Sequence, residues 1–306
     1  MYDIIIIGGG PAGLTAALYA RRANKSVLVI EKATFGGQIT FSPKVENIPG
    51  FIQLTGNEFA DKLVEQVLEQ GADVELCEAL EIKDGDIKTV VTDSGEFEGK
   101  TIIIATGAKH RMLGLEGEEK FVGEGISFCA VCDGAFYEGK DVAVIGGGNS
   151  ALQEAVLLAE KCKEVIMLQD LPMFTGEQRL QDVLFSKPNV RALTEVAIDR
   201  LITENGELKG LGIHSRTENS AESQEIACDG LFVAIGLIPE NEPFKELADL
   251  NSYGYFDTDE QCLTKTPGVF VAGDCRSKFV RQVTTAVADG ATAALAACRY
   301  INGLQG

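Results

Sequence analysis

Short runs of apolar, often β-branched residues recur along the chain, and most of them end in glycine or other small residues. Uninterrupted runs of this kind are typical of parallel strands that are buried on both faces of a sheet. Helices are predicted between them, at 14–23, at 59–70, up to residue 160 and at 284–300. The pattern therefore predicts an α/β fold with strands at 4–7, 26–30, 101–107, 141–145, 165–168, 229–236 and 268–274.

The first apolar run leads directly into a glycine-rich turn, in which Gly8, Gly10 and Gly13 match the pattern GxGxxG. In dinucleotide-binding folds the first glycine permits a tight turn, the second lets a pyrophosphate approach the backbone, and the third lets the helix pack on the strand. The N–H groups and dipole of the following helix then point at the phosphates. Glu31 ends the second strand, eighteen residues after Gly13, where an acid can hydrogen-bond a ribose hydroxyl. These features in register predict a dinucleotide-binding unit.

A second copy of this pattern begins 138 residues after the first. The strand at 141–145 leads into Gly146, Gly148 and Ala151, which match GxGxxA, and then into a helix. The chain therefore contains two dinucleotide folds, and two nucleotides could be bound.

The second copy ends differently from the first. Gln169 stands where Glu31 stands in the first copy, Asp170 lies beside it, and 171–176 carries no positive charge. A 2′-phosphate carries about two negative charges and normally needs Arg or Lys at this position, so NADPH is disfavoured. Asp170 has two interpretations: it accepts a hydrogen bond from a 2′-hydroxyl, which suits NADH, or it is a solvated turn acid.

The composition bounds the partners. A chain of 306 residues, 45% of them hydrophobic, fits two domains. The net charge is −19, from 27 Lys and Arg against 46 Asp and Glu, which leaves no basic surface of the kind that nucleic acids require. No apolar run approaches the roughly eighteen residues needed to cross a bilayer, and no basic leader precedes the first strand. We therefore expect a soluble protein of a reducing cytoplasm, with neither nucleic acid nor membrane as a partner.

Cys129 and Cys132 are separated by two residues, and Asp133 follows them directly. Two such cysteines can close a small disulfide ring, and the carboxyl group can deliver or take the proton that thiol–disulfide exchange requires. Half of a zinc site and a static bridge are the alternatives. A four-cysteine zinc site normally has a second close pair, whereas the other cysteines are single, so no metal site is predicted. Buried or idle thiols are expected at Cys77, Cys162, Cys228, Cys262, Cys275 and Cys298.

Several further positions carry candidate chemistry. Asp274 follows the last strand, at the sheet edge where doubly wound folds bind ligands, and it either holds a ribityl or ribose hydroxyl or caps the next helix. Arg281 and Gln282 either face a phosphate and a flavin ring, or Arg281 forms a salt bridge. The glycine-rich stretch 114–125 is interpreted as a linker. Surface or core roles are expected for the two histidines, His110 and His214.

Over its whole length the chain resembles the low-molecular-weight thioredoxin reductases. The resemblance rests on an ordered set of motifs: GGGPAG at 8–13, GGQ ending at 38, ATG at 105–107, CAVCDG at 129–134, GGGNSA at 146–151, GD at 273–274 and RQV at 281–283. It implies two Rossmann-like domains of the pyridine nucleotide-disulfide oxidoreductase type, the second inserted in the first. The expected FAD domain is discontinuous, at 1–112 and 243–306, and the domain at 113–242 carries the CxxC and rotates between two poses. A homodimer is also implied.

The resemblance assigns roles by position. Cys132 would be the flavin-proximal thiol, Cys129 the interchange thiol that attacks the thioredoxin disulfide, and Asp133 the acid–base group. The implied FAD residues are Gly8, Gly10, Pro11, Ala12, Gly13, Glu31, Gly37, Gln38, Asn47, Ala105, Thr106, Gly107, Gly273, Asp274, Arg281, Gln282 and Val283. The implied residues of a pyridine-nucleotide loop are Gly146, Gly148, Asn149, Ser150 and Ala151.

The implied activity is thioredoxin-disulfide reductase, in which electrons pass from FAD to the CxxC disulfide and then to thioredoxin. Members of the family usually carry a His-Arg-Arg run and a later Arg after the second strand, where this chain has Gln169, Asp170 and Leu171, with Thr175 at the later position. In this respect it is similar to relatives that accept electrons from NADH, or from reduced ferredoxin with no nucleotide. The alternatives are a flavoprotein acting on a small-molecule dithiol or disulfide, a non-enzymatic redox sensor, and a ferredoxin–nucleotide reductase, which the CxxC disfavours.

Overall fold

The computed structural model describes residues 1–217 and 223–303. The chain forms two compact units, one of Met1–Lys109 with Ile238–Gly306 and one of His110–Leu237. The second unit is therefore inserted in the chain of the first. The predicted boundaries, after 112 and before 243, lie a few residues further along the chain.

The elements, in chain order, are β1 (Tyr2–Ile7), α1 (Pro11–Arg22), β2 (Val27–Glu31), α2 (Gly56–Glu69), β3 (Asp73–Leu76), β4 (Ala79–Lys83), β5 (Lys88–Thr92), β6 (Gly95–Ile104), β7 (Ala108–His110), β8 (Ile126–Ser127), α3 (Ala130–Asp133), β9 (Asp141–Ile145), α4 (Asn149–Leu158), β10 (Glu164–Leu168), α5 (Gln178–Phe185), β11 (Val190–Leu193), β12 (Val196–Glu204), β13 (Glu207–Ser215), β14 (Gln224–Ala227), β15 (Gly230–Val233), β16 (Leu237–Pro239), β17 (Val269–Val271) and α6 (Val283–Ile301). In the ranges described, none of these helices combines the length and the apolar character needed to cross a membrane.

The first unit is built on a seven-stranded sheet with the order β3-β2-β1-β6-β5-β4. β3, β2, β1 and β6 are parallel, and β17 joins them by pairing with the carboxyl-terminal part of β6. β4 pairs antiparallel with β5, and β5 pairs antiparallel with the amino-terminal part of β6. The parallel strands therefore end at one edge of the sheet, which is where ligands bind in doubly wound folds.

The second unit repeats this plan. Its parallel sheet has the order β11-β10-β9-β15-β8, and a separate antiparallel sheet has the order β12-β13-β14. β9, α4 and β10 correspond to β1, α1 and β2 of the first unit, each set with a glycine turn between strand and helix. The predicted fold class, two Rossmann-like units with the second inserted in the first, is confirmed.

Both faces of each central strand are buried, which explains the uninterrupted apolar runs. In β1, Ile4 and Ile6 pack in a core with residues of α1 and α6, whereas Ile5 and Ile7 pack on the opposite face with Phe244. β9 behaves in the same way, since its alternate residues divide between two further cores. A strand that is buried on both sides needs apolar residues at every position.

The stretch 114–125 is not a linker, contrary to the sequence-based interpretation. It lies within the second unit, because the chain crosses between units at Lys109 and His110. Glu118 is only 2% exposed, and its carboxylate accepts the backbone N–H groups of Leu113 at 2.8 Å and Leu115 at 2.7 Å. This buried carboxylate organises the segment that leads to β8.

Replacing Glu118 by Ala should destabilise the second unit. The substitution leaves two partly buried N–H groups without an acceptor, which costs about 2 kcal/mol. The midpoint of urea denaturation, followed by a probe in the second unit, measures the change. Glu119→Ala is the matched control, because Glu119 is exposed. Equal midpoints for the two variants would contradict the role assigned to Glu118.

Candidate functional site

Most of the predicted FAD residues lie at the carboxyl edge of the parallel strands in the first unit. Residues 8–13 follow β1, Glu31 ends β2, 105–107 follow β6 and 273–274 follow β17. The edge of a doubly wound sheet brings these four segments together. The other predicted residues are Gly37 and Gln38 in a short 3-10 helix (Gly37–Phe41), Asn47 in a loop, and Arg281, Gln282 and Val283 at the start of α6.

The first glycine turn admits no larger residue at two of its positions. Gly8 has a φ of 109°, and a Cβ there would lie 2.2 Å from the carbonyl oxygen of Ala105. A Cβ on Gly13 would lie 1.8 Å from the carbonyl oxygen of Gly8. The two glycines thus let α1 begin directly against the ends of β1 and β6.

The amino end of α1 is open towards the sheet edge. Gly10 is its N-cap, and no side chain in the described ranges caps the helix. A Cβ on Gly10 would find its nearest heavy atoms only at 3.9 Å, so its backbone can be approached closely. Glu31 reaches back to this turn, where its carboxylate accepts the N–H of Gly9 at 2.7 Å and that of Ala33 at 2.9 Å. An open helix end beside an anchored acid suits a dinucleotide, since the phosphates need N–H groups and the ribose an acceptor.

Two predicted FAD residues that are far apart in the sequence meet in the structure. Asn47 Nδ2 donates to Gln282 Oε1 at 3.1 Å, and Gln282 is the N-cap of α6. Gly37 likewise meets the glycine turn, because a Cβ on it would lie 3.2 Å from the Cα of Gly10. These contacts join the 37–47 loop to the dinucleotide turn and to the start of α6.

Asp274 is the buried polar group that most clearly fits a ligand. Its Oδ1 has no hydrogen-bond partner among the described residues, and Lys278 Nζ is 3.5 Å away, a weak ion pair at the limit for a hydrogen bond. Burial raises the pKa of this carboxyl, while Lys278 and Arg281 act in the opposite direction. The Arg281 guanidinium lies over the ring of Tyr255 at 4.1 Å. An unpaired buried oxygen at this edge would accept a hydrogen bond from a cofactor hydroxyl.

The second glycine turn repeats the close approach of the first. Gly146 has a φ of 126°, and a Cβ there would lie 2.5 Å from the carbonyl oxygen of Ala234. Gly148 is the N-cap of α4, and no side chain in the described part of the chain caps that helix either. Ala151 takes the place of the third glycine and is fully buried, whereas Asn149 and Ser150 are exposed.

The segment after β10 folds back onto this second turn. A Cβ on Gly147 would lie 2.4 Å from the amide nitrogen of Gln169, which donates to the carbonyl of Met173 at 3.2 Å. The Gly147 carbonyl accepts the N–H groups of Thr175 at 2.8 Å and Gly176 at 2.9 Å. Gln169 is buried, so it is a structural amide that packs against the turn.

Arg216 is a residue that sequence reasoning missed. It follows β13, 46 residues after Asp170, and its guanidinium bonds the Asp170 carboxylate at 3.0 Å. Asp170 is therefore one half of an exposed ion pair. No local pattern in the sequence announces this contact, because a separate antiparallel sheet brings Arg216 to the end of β10.

Cys129 and Cys132 form a disulfide with a Cα–Cα distance of 5.3 Å, at the start of α3. The Cys132 N–H also points at Cys129 Sγ at 3.2 Å. Both cysteines are partly exposed, and Val131 between them is 63% exposed. All six other cysteines are buried. Exchange chemistry is therefore confined to the partly exposed pair, since a thiol must be accessible to react.

Asp133 and Ser127 form a polar pair beside the disulfide. Ser127 Oγ donates to Asp133 Oδ2 at 2.6 Å and accepts the N–H of Cys129 at 3.1 Å. Asp133 Oδ1 is buried without a hydrogen-bond partner in the described ranges, and burial raises the pKa of this carboxyl. A raised pKa brings a carboxyl closer to the range in which it can exchange protons at neutral pH. Sequence reasoning found Asp133 and missed Ser127.

Glu154, on α4, is a second buried carboxyl near the disulfide, and it was also missed. The pKa of this carboxyl is raised to about 8, chiefly by burial; a hydrogen bond from the backbone of Ala130 opposes the rise, and the negative charge of Asp133 adds to it. Its Oε2 has no hydrogen-bond partner among the described residues. At neutral pH the side chain is therefore protonated.

His110 has a core role, which was one of the two expected. Its ring stacks on Phe128 with the ring centroids 4.4 Å apart, and burial lowers the pKa of the imidazole to about 4. The neutral ring packs against the residue that precedes Cys129. The other histidine, His214, bonds Asp199 on the exposed antiparallel sheet.

Comparisons with known proteins identify the relatives of this chain. Residues 2–290 match the family model described as pyridine nucleotide-disulphide oxidoreductase. The chain is 41% identical over 304 residues to a "34.2 kDa protein in rubredoxin operon" of Clostridium pasteurianum, covering 98% of this chain and 97% of that protein. It is 38% identical over 306 residues to a thioredoxin reductase of Bacillus subtilis (strain 168), covering 100% and 96%. The crystal structure of thioredoxin reductase from Streptococcus pyogenes MGAS5005 is similar with a TM-score of 0.92 and 38% identity over 99% of both chains.

Replacing Glu154 by Gln should remove a pH dependence of stability. The carboxyl has a pKa of about 8 in the folded protein and an ordinary value of 4.5. Its neutral form is favoured by folding, so its contribution is present below pH 4.5 and is lost as the pH rises to about 8. Relative to the variant, the wild type should lose up to about 1.4 kcal/mol per pH unit in that window.

Urea denaturation at a series of pH values measures this difference, and other titrating groups cancel in it. Glu160→Gln, at an acid that pairs with Lys187 at 3.8 Å, is the matched control and should run parallel to the wild type. Parallel curves for Glu154→Gln as well would contradict the raised pKa.

Proposed function

The chain belongs to the pyridine nucleotide-disulphide oxidoreductase family, and we propose that it is a thioredoxin-disulfide reductase of the low-molecular-weight type, with FAD in the first unit. The observation that carries the proposal is the partly exposed Cys129–Cys132 disulfide with the buried Asp133 carboxyl beside it. Relatives at 38% identity over the whole chain carry the name thioredoxin reductase, which supports the choice of substrate.

The residues of the first unit fit FAD. Gly10 presents an open backbone at the start of α1, and Asp274 presents a buried oxygen whose contact with Lys278 is only a weak ion pair at 3.5 Å. The Glu31 carboxylate is anchored by the N–H of Gly9, at the side of the turn where the ribose would lie. The side-chain amides of Asn47 and Gln282 are hydrogen-bonded to each other at the start of α6. When bound, FAD supplies a carrier that accepts and releases two electrons.

The two cysteines have distinct roles in exchange. After reduction of the pair, the Cys129 thiolate attacks one sulfur of the thioredoxin disulfide, that bond breaks, and the released thiolate takes a proton. The Cys132 thiolate then attacks Cys129 in the mixed disulfide, which releases the second thioredoxin sulfur and restores the Cys129–Cys132 bond. Asp133 holds and transfers the protons, and Ser127 fixes its orientation.

Replacing either cysteine by Ser should abolish turnover of thioredoxin, because a single thiol cannot complete the exchange. With Cys132→Ser, Cys129 should trap thioredoxin as a mixed disulfide that is visible by mass, whereas Cys129→Ser should trap none. Cys162→Ser is the control, because burial raises the pKa of that thiol to about 11 and leaves it inert. Steady turnover of a small disulfide without thioredoxin turnover would favour the small-molecule alternative. Reduction of the pair without any turnover would favour a redox sensor.

The electron donor in this proposal is NADH or reduced ferredoxin, and NADPH is disfavoured. The end of β10 presents the neutral Gln169 and the acidic Asp170, and the cation nearby, Arg216, is already bonded to Asp170. A 2′-phosphate placed here would face a carboxylate and would compete with it for Arg216. A ribose with a free 2′-hydroxyl can instead donate to Asp170.

Anaerobic titration of the FAD-loaded protein should show this order of donors. Flavin bleaching should need at least about tenfold more NADPH than NADH or reduced ferredoxin, because the described residues at the end of β10 offer no free cation to a 2′-phosphate. If NADH is the donor, Asp170→Asn should raise the NADH concentration needed by about tenfold, since a charged hydrogen bond is lost. Reduction by ferredoxin should not change. If NADPH bleaches the flavin at low concentration, and the Arg216→Gln substitution abolishes that bleaching, the proposed order of donors is wrong.

We also propose a cytoplasmic homodimer. A reducing compartment suits six buried cysteines that remain thiols beside one exchangeable pair.

The net charge of −19 gives little long-range attraction to an acidic partner. Contacts near Val131, the exposed residue inside the CxxC, should therefore determine where thioredoxin binds.

A further inference from the structure

Glu154 lies directly behind the redox pair, on α4, which packs against α3. Ala130, between the two cysteines, shares a core with Ala151 and Leu158 of α4. A Cβ on Gly134, at the end of α3, would lie 3.2 Å from a methyl of Leu158. The wall behind the disulfide is therefore close-packed and apolar, apart from the carboxyl of Glu154.

Glu154 is tied to the CxxC through the backbone. Its carboxyl accepts the N–H of Ala130, and its Oε2 has no hydrogen-bond partner among the residues described. Asp133 acts on it electrostatically and has an unpaired buried oxygen of its own. Two carboxyls near one disulfide that each keep a buried oxygen without a hydrogen bond among the described residues are more than packing requires, because unpaired buried polar atoms are costly.

We propose that Glu154 is a positioning residue that couples reduction of the Cys129–Cys132 disulfide to the uptake of a proton, acting through Asp133 and the α3 backbone. The inference rests on the redox disulfide of the proposed function and requires neither thioredoxin nor a particular electron donor.

The coupling follows from charge balance. Reduction of a disulfide to two thiols takes up two electrons and two protons. Each sulfur that remains a thiolate lowers the number of protons taken up by one. A thiolate at the CxxC adds a negative charge next to Asp133, whose own charge already acts on Glu154. That charge raises the proton affinity of Glu154, so an ionised Glu154 regains a proton when the pair is reduced.

Other charged groups near α4 are engaged elsewhere or exposed. From the 3-10 turn after α3 comes Tyr137, which is neutral because burial raises the pKa of its phenol to about 12. On β9, Asp141 bonds Lys163, and on β10, Glu164 bonds Arg191. On α5, Asp182 and Arg179 are exposed. Asp133 remains the group whose charge acts on Glu154.

The test is the equilibrium of the FAD-loaded protein with reduced and oxidised dithiothreitol, at pH values on both sides of about 8. Acid quenching, alkylation and mass analysis of the Cys129–Cys132 peptide give the equilibrium constant for reduction. Dividing the constant of the wild type by that of Glu154→Gln removes the effect of dithiothreitol ionisation, because that effect is the same for both proteins. We expect a constant ratio below pH 8 and a fall above it, by at most about tenfold per pH unit, as one additional proton requires.

A merely structural role predicts a ratio that does not depend on pH, and a flat or rising ratio would overturn the proposal. Glu154→Met should behave like Glu154→Gln if the latter folds poorly, and Glu154→Asp, which keeps a carboxyl, should restore the fall. Glu160→Gln, in the turn that follows α4, should leave the wild-type profile unchanged. If the protein does not turn over thioredoxin, the proposed function is contradicted, but the pH dependence of this ratio is unaffected.

Discussion

The structure depends on a backbone contact that both units repeat, between a glycine turn and the end of a neighbouring parallel strand. Gly8 meets the carbonyl of Ala105, and Gly146 meets the carbonyl of Ala234, at distances that admit no Cβ. In each unit this contact fixes where the first helix begins and aims its uncapped N–H groups at the sheet edge. The apolar residues of the strands can be replaced by other apolar residues, but a side chain at either glycine would separate the turn from the sheet and displace the helix.

The two turns differ in the residue that packs beside them, and this difference sets what each can hold. In the first unit the acid Glu31 bonds the N–H of Gly9 and leaves lone pairs for a ribose. In the second unit the amide of Gln169 packs against Gly147 and bonds Met173, so it serves the loop rather than a ligand. The same backbone geometry therefore supports a dinucleotide site in one unit and a site of altered charge in the other.

Features that depend on local backbone chemistry were predictable, whereas contacts between distant segments were not. The glycine turns and the CxxC follow from residue types at short fixed spacing, so the fold class and Asp133 could be predicted. Arg216 and Glu154 are brought to their sites by packing between separate elements, which leaves no periodic trace. The stretch 114–125 was misinterpreted because glycines indicate turns equally well inside a unit and between units. The boundary between the units at Lys109 and His110, together with the burial of Glu118, distinguishes the two cases.

The hydrogen bond from Ser127 distinguishes the two carboxyls near the disulfide. Burial raises the pKa of both Asp133 and Glu154, and the negative charge of Asp133 adds to the rise at Glu154. The Ser127 hydroxyl donates to Asp133 and opposes the rise that burial causes in its pKa, whereas no side-chain hydroxyl of the described residues opposes the rise of the pKa of Glu154 to about 8. Environments that push two pKa values apart assign an acid and a base from identical chemistry. The difference between the two carboxyls thus lies in the hydroxyl donor that β8 presents, two residues before Cys129.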